Sequence, residues 1–252
     1  MDIILPFLRK VQQNDSHEWL LAHHEEYLQA FSRNAYYIEL LRRKIGAFDP
    51  TIAPLHLADC SFSLIADRKL KINDRKYNDF LSGSFTRDGK YGGYASYYYQ
   101  ISPEPSDSGG SFLAVGIYRP NPELMDYIRR EFAHDGEKIV KLIRRTGFEL
   151  YTKNMMKRLP SEFMDSDMRF FRYLRQRDFI LIKRLDSCWF KQENWTDLAA
   201  EEFYRCSAFI KFVNGIIEKY RNKSPLPVGH ALRPIKRSTR DGCKVINEDT
   251  EK

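Results

Sequence analysis

The chain has 252 residues, of which 42% are hydrophobic and 14% aromatic, and it carries a formal net charge of +7. That aromatic content excludes a disordered chain, and no apolar run approaches the length of about 18 residues that a spanning helix requires. The positive charge is gathered at one end: residues 219–252 hold nine Lys or Arg against four Asp or Glu, while the other 218 residues hold 32 against 30. A nucleic-acid-binding fold would cluster its cations on a folded face. Weak nucleic-acid binding through the basic tail therefore stands last among the functions considered.

Four cysteines stand at 60, 188, 206 and 243 with no Cys-x-x-Cys pair. Such spacing implies neither a disulfide framework nor a zinc site, and it suits free thiols in a reducing compartment. The opening Met1-Asp2-Ile3-Ile4-Leu5-Pro6 has an acid where a signal peptide carries a base, and Arg9 and Lys10 interrupt its apolar run. A cytoplasmic, membrane-free protein is expected.

An apolar helix is predicted over about residues 2–13. Asp15 is the expected cap of the next, with Glu18 completing a capping box. Leu20, Leu28, Phe31, Ala35, Ile38, Leu41, Ile45 and Phe48 then recur near helical spacing, apart from a gap at His24, and predict one long helix ended by Asp49-Pro50. The period changes to two at Phe62, Leu64 and Ala66, the first predicted strand. Further strands are expected at 79–86, 94–101 and 112–118; their short connections imply antiparallel pairing. Asn121-Pro122 opens a helix, with Leu124, Ile128 and Phe132 inside. A separate helix at 136–146, a short strand at 148–151, a helix at 167–176 and a strand at 179–185 follow. The last helix runs from Thr196 to about Tyr220, burying Ala199, Phe203, Cys206, Ile210, Val213 and Ile217. This segregation predicts an α+β fold: an antiparallel sheet of four to six strands packed with several helices, long helices near both ends. Residues 1–220 are expected to form one domain, and 221–252, with Pro225, Pro227 and Pro234 among basic residues, an extended arm.

Three constellations fail on spacing or context. Gly83 to Lys90 has one residue too many for a phosphate loop, and Tyr91 stands where magnesium needs Ser or Thr. His17-Glu18 and His23-His24 place histidines six and seven apart, whereas a zinc-protease helix needs four. Tyr91, Tyr94, Tyr97, Tyr98 and Tyr99 suit a half-buried strand better than a stacking platform, with Tyr97 and Tyr99 on one face and Tyr94 and Tyr98 on the other. No metal or cofactor is implied.

Asp67-Arg68-Lys69-Leu70-Lys71, continuing through Arg75-Lys76-Tyr77, is the most polar segment of the middle and follows directly on the first predicted strand. Lys and Arg beside Tyr suit a phosphate or carboxylate. Asp67, Arg68, Lys69, Lys71, Tyr77, Tyr118 and Arg129 are accordingly the candidate ligand-binding residues, expected to gather in one hollow around a small anionic ligand. The alternative is a non-catalytic binding or scaffold protein in which these side chains are spent on one another. Neither implies a particular oligomeric state.

Several short marks, taken in order, resemble one family. Asn14, Glu18, Trp19 and Tyr27 match its opening pattern, with Leu20 where the family has Phe. Gly116-Ile117-Tyr118 with Pro120 matches its Gly-Gly-hydrophobic-Tyr-x-Pro strand end. Ile128-Arg129 and Lys157-Arg158-Leu159-Pro160 match its later segments. Over roughly residues 5–220 the chain resembles the bacterial domain-of-unknown-function family 2461. That family's polar motif, about Arg-Asp-x-Arg-Phe-x-x-Asp-Lys-x-Pro-Tyr-Lys, laid from Ala66, agrees at Asp67 and Tyr77. It differs at Ala66, Lys69, Leu70, Asn73, Asp74, Lys76 and Asn78. The resemblance implies a shared fold and a site altered in this chain; it implies no activity.

Overall fold

The computed structural model describes residues 3–66, 75–106, 108–186 and 188–223. Helix α1 (Ile4–Gln13) forms where Ile4, Leu5, Phe7, Leu8 and Val11 repeat at helical spacing, and all five are buried. Ser16, not Asp15, caps α2 (His17–Ala22), its Oγ accepting the Trp19 N–H at 3.1 Å. The two residues have equivalent capping chemistry; Asp15 is occupied elsewhere, as the site below shows. The long helix expected next is broken. Between α2 and α3 (His24–Gly46), His23 leaves helical geometry at φ −114° and ψ 27°, and its ring stacks on Trp19. The gap in the apolar stripe marks this break. The buried stripe of α3 also begins one step round from the expected one, on Ala30, Asn34 and Tyr37, and leaves Leu28 exposed.

After α4 (Leu57–Cys60), the strand expected at 62–66 does not join the sheet as a regular member. Residues 61–66 touch the chain before and within the next strand through two isolated bridges, Ser61↔Gly83 and Ile65↔Tyr77. The alternation of Phe62, Leu64 and Ala66 therefore belongs to a sparsely paired strip. The sheet itself comprises β1 (Leu81–Thr86), β2 (Ser96–Ile101), β3 (Ser111–Ile117) and, after α5 (Pro122–Thr146), β4 (Glu149–Leu150). The short α6 (Phe171–Leu174), preceded by a 3-10 turn at Met168–Phe170, replaces the longer helix expected at 167–176. β5 (Phe179–Leu185) and α7 (Trp195–Lys223) complete the element order. The strand order is β1-β2-β3-β5-β4 and every pair is antiparallel. α7 runs past the expected start of the arm through Arg221–Lys223. Residues 224–252, the rest of that arm, lie outside the described residues.

Helix α5 is one element where two were expected, with a kink at Asp135 (φ −119°, ψ 29°) between the two predicted halves. Its start follows from the Asn121 side chain accepting the Leu124 N–H at 2.7 Å and from Pro122 in the first turn. Its end follows from Gly147 in the left-handed region.

One sheet face meets α3 and α7. Tyr97 packs against Phe203 and Phe48, Tyr99 against Trp195, and Phe179 against Phe209 and Phe132. The residues predicted for the buried face of α7, from Ala199 to Ile217, are all buried. Tyr99 crosses above Gly83, where an added Cβ would stand 2.6 Å from its ring. Its hydroxyl donates to Asn34 Oδ1 at 2.8 Å, and the Asn34 amide donates to Ser82 O at 3.3 Å.

Two glycines separate conformational strain from collision. Gly116 has φ 128°, and an added Cβ would fall 2.0 Å from Phe179 O; Gly147 has φ 69° with open space around it. Gly147→Ala is expected to cost about 1–2 kcal/mol, the left-handed penalty alone. Gly116→Ala is expected to cost roughly 3 kcal/mol or more, because β3 and β5 must also part. Urea unfolding of the two variants checks the difference.

Candidate functional site

The strand register sorts the candidate residues by position. Leu81, Ile101, Ser111 and Leu185 share one end of the sheet; Thr86, Ser96, Ile117 and Phe179 share the other. Strands of six or seven residues hold these ends roughly 17–20 Å apart. Tyr77 precedes β1 and lies beyond the Leu81 end. Tyr118 follows β3, and Arg129 bonds to the segment leading into β5; both belong to the Thr86 end. Tyr77 therefore stands at the opposite end of the sheet from Tyr118 and Arg129, and the described members of the candidate set fall in two separate polar regions. Asp67, Arg68, Lys69 and Lys71 lie outside the described residues.

At the Leu81 end the described flank of that segment is tied down. Asp15 accepts the backbone N–H of Lys76 at 2.8 Å and that of Tyr77 at 2.9 Å. Arg75 donates to Gln12 O at 2.9 Å and to Val11 O at 2.5 Å, so its charge meets the carbonyl end of α1, where the helix dipole favours a cation. Tyr77 is buried, with its hydroxyl 3.2 Å from His17 Nδ1. Two residues on, buried Asp79 faces Gln12 and a group of serines between β2 and β3. Gln12 bridges this group to Pro105 O at 2.9 Å.

At the Thr86 end, Arg129 is buried in α5. Its Nε donates to Leu174 O at 2.9 Å, Nη2 to Gln176 O at 2.5 Å, and Nη1 pairs with Asp126. These bonds fix α5 to the turn before β5 and leave no free edge of the guanidinium for a ligand. Tyr118 is half exposed beside the Arg119 guanidinium, 5.2 Å from its ring centre. Arg119 occupies the left-handed region at φ 49°, and its N–H donates to the buried Asp178 at 2.7 Å. The other Asp178 oxygen accepts from Asn154 at 2.6 Å. Both predicted residues at this end thus stand on a structural network.

A third region drew no attention from the sequence beyond its helix. At the α5 kink an open hollow of about 660 Å³ is lined by Lys138, Lys141, Arg145 and His134 together with Asp135, Glu137 and Phe170. Gly136 makes the floor: a Cβ there would stand 2.6 Å from the Phe170 ring. Lys138, Lys141 and Arg145 are three and four residues apart and share one helix face. Lys141 and Arg145 are exposed and form no ion pair among the described residues. That spacing was the available signal.

Residues of the phosphate-loop-like and histidine motifs are engaged in hydrogen bonds within the fold. Lys90 donates to Ala58 O at 2.7 Å and to Ser61 O, so it serves backbone carbonyls. His17 and His23 bond to Tyr77 and to Trp19 O. Among the described residues no group of three or more His, Cys, Asp or Glu is set to hold a metal, and no helix is long and apolar enough to cross a membrane. Of the thiols, Cys60 and Cys206 are buried and pushed up to about 12, chiefly by burial and then by Asp59 and Glu202 respectively. Neither is a nucleophile at neutral pH.

The conserved hypothetical protein family DUF2461 has a model that matches residues 3–212. Neither the curated proteins nor the solved structures contain a match.

Arg129→Leu is expected to cost about 3–5 kcal/mol in urea unfolding, because it strands Asp126 and two buried carbonyls; Tyr118→Phe is expected to stay within about 0.5 kcal/mol. In a Cys243→Ser background a thiol reagent at pH 8 is expected to label exposed Cys188 rapidly in the native protein, and Cys60 and Cys206 only after denaturation. Mass mapping of the labelled peptides checks it.

Proposed function

The chain belongs to the conserved hypothetical protein family DUF2461, and we propose that it is a binding protein for a small anionic ligand, held in the cationic groove on α5. The observation that carries this reading is that Lys141 and Arg145 stand together, exposed and unpaired among the described residues, in a hollow of about 660 Å³. That volume is in the range of small-molecule sites, about 300–1,000 Å³. Elsewhere Arg129, the described cation of the candidate set, holds the turn before β5, and Arg75, beside that set, holds the end of α1. Charge-assisted bonds from Lys and Arg to phosphate or carboxylate oxygens supply the affinity, and the kinked backbone and Phe170 supply the shape.

A second reading keeps the anion at the segment singled out by the sequence, on Arg68, Lys69 and Lys71, as Asp67 and Tyr77 of the family's polar motif suggest. One titration distinguishes the two. Inorganic pyrophosphate is titrated calorimetrically into the wild type, the Lys141→Ala/Arg145→Ala double variant and the Arg68→Ala/Lys69→Ala/Lys71→Ala triple variant. Loss of two charge-assisted bonds is expected to weaken binding by tenfold or more in the double variant, with the triple variant near wild type. The reverse pattern moves the site to residues 68–71. No heat of binding in the wild type at millimolar pyrophosphate overturns both readings.

A further inference from the structure

The serine group beyond the Leu81 end has an imbalance of charge and protons that the anion reading does not use. Asp79 is 2% exposed. Its Oδ2 accepts from Gln12 Nε2 at 3.1 Å and from Ser106 Oγ at 2.9 Å, while its Oδ1, equally buried, accepts no hydrogen bond. Both protons of the Gln12 amide are already used, on Asp79 Oδ2 and Pro105 O. No Lys, Arg or His among the described residues forms an ion pair with this carboxylate. Arg75, the cation nearest in the sequence, sends its guanidinium to the carbonyls of Val11, Gln12 and Tyr77.

The hydroxyls cannot cure the deficit. Ser102 Oγ lies 3.1 Å from Asp79 O, 2.8 Å from Ser106 Oγ and 3.2 Å from Ser108 Oγ; Ser106 and Ser108 Oγ are 2.6 Å apart. With Ser106 to Asp79 Oδ2, that makes five oxygen–oxygen contacts served by three hydroxyl protons. Two contacts therefore bring lone pairs together. A buried carboxylate with an unfilled oxygen is costly unless a cation or further donor meets it.

We propose that Asp79 and the hydroxyls of Ser102, Ser106 and Ser108 form a binding site for a small monovalent cation, of the sodium, potassium or ammonium class. Hard cations take oxygen ligands, and every side-chain group in the ring presents oxygen. One carboxylate among neutral hydroxyls balances a single positive charge, whereas a divalent ion calls for more acids; among the described residues no group of three or more His, Cys, Asp or Glu is set to hold a metal. The burial of Asp79 selects a bare or nearly bare ion over a bulky organic one. Such an ion would join α1, through Gln12, to the end of β1 and to the β2–β3 connection.

The test is the melting temperature of the wild-type chain in sodium, potassium, ammonium or choline chloride at one ionic strength, with the small cation exchanged stepwise for choline. A ligand that binds the native state raises its stability with concentration; tenfold over Kd corresponds to a shift of about 4 °C for a chain of this size. At least one small cation is expected to give this shift, saturably, and Asp79→Asn to abolish it. Should Asp79→Asn fail to fold, Ser106→Ala/Ser108→Ala, which removes two ring oxygens, is expected to weaken the response at least tenfold in midpoint concentration. Equal wild-type melting temperatures in all four salts, as a water molecule at Asp79 would give, overturn the proposal. So does a full, unshifted response in the serine double variant. The common anion and fixed ionic strength keep these outcomes separate from pyrophosphate binding on α5.

Discussion

The buried bond from Tyr99 to Asn34 is the constraint from which the helical layer takes its position. Tyr99 reaches α3 only because Gly83 on the neighbouring strand has no side chain in its path. Asn34 answers with both ends of its amide, accepting from the phenol and donating to Ser82 O. Full burial holds the Tyr99 hydroxyl well above the usual phenol range, so it remains a donor. A buried polar pair is costly when half satisfied and specific when complete. Here it is complete, and it sets the height and rotation of α3 over β1 and β2. Trp195, wedged against Tyr37 and Tyr99, carries that placement to α7. The α7 face then positions β5 and α5 through Phe209, Phe179 and Phe132.

That arrangement decides what kinds of site the molecule can build. Helices occupy one face, and antiparallel strands carry each connection to one end of the sheet or the other. Polar residues close in sequence to different strand ends are thereby separated by a strand's length. The segment at 75–79 meets α1 and the serines of the β2–β3 connection, whereas Tyr118 and Arg129 meet Asp178 and the turn before β5. The two regions are tethered by their own hydrogen bonds, and the groove on α5 stands apart from both.

Local physics made much of this legible. The apolar run that opens β5 and the near-3.5-residue repeat of α7 mark both elements, and the repeat reports directly which α7 side chains face inward. The register-dependent features were not. Asp15 and Ser16 offer the same capping chemistry, and only the distant backbone of Lys76 and Tyr77 decides between them. Phe62, Leu64 and Ala66 alternate as strand residues do, yet a strip held by two bridges satisfies the same pattern. Arg129 stands out in the sequence as a candidate ligand residue, but its partners, the carbonyls of Leu174 and Gln176, lie more than forty positions away. Asp79 is only the first residue of an expected strand in the sequence, because its burial is created by Gln12 and Ser106, neither of them near it in the chain. The cationic face of α5 was present as a spacing, but the kink and Phe170 that turn it into a hollow are tertiary.

The two isolated bridges of residues 61–66 have a consequence for the protein in a crowded solution. An open sheet ends in two rows of unpaired backbone groups, which invite another molecule's strand to extend it. On β1 that row is interrupted by Ser61 against Gly83, with Ile65 against Tyr77 continuing the cover outward. On β5 it is covered by β4 and by the Tyr151 N–H on Ile180 O at 2.9 Å. Short, irregular strips thus stand where a long regular strand would leave a sticky margin, and they give the sheet a built-in resistance to end-on growth into fibrils.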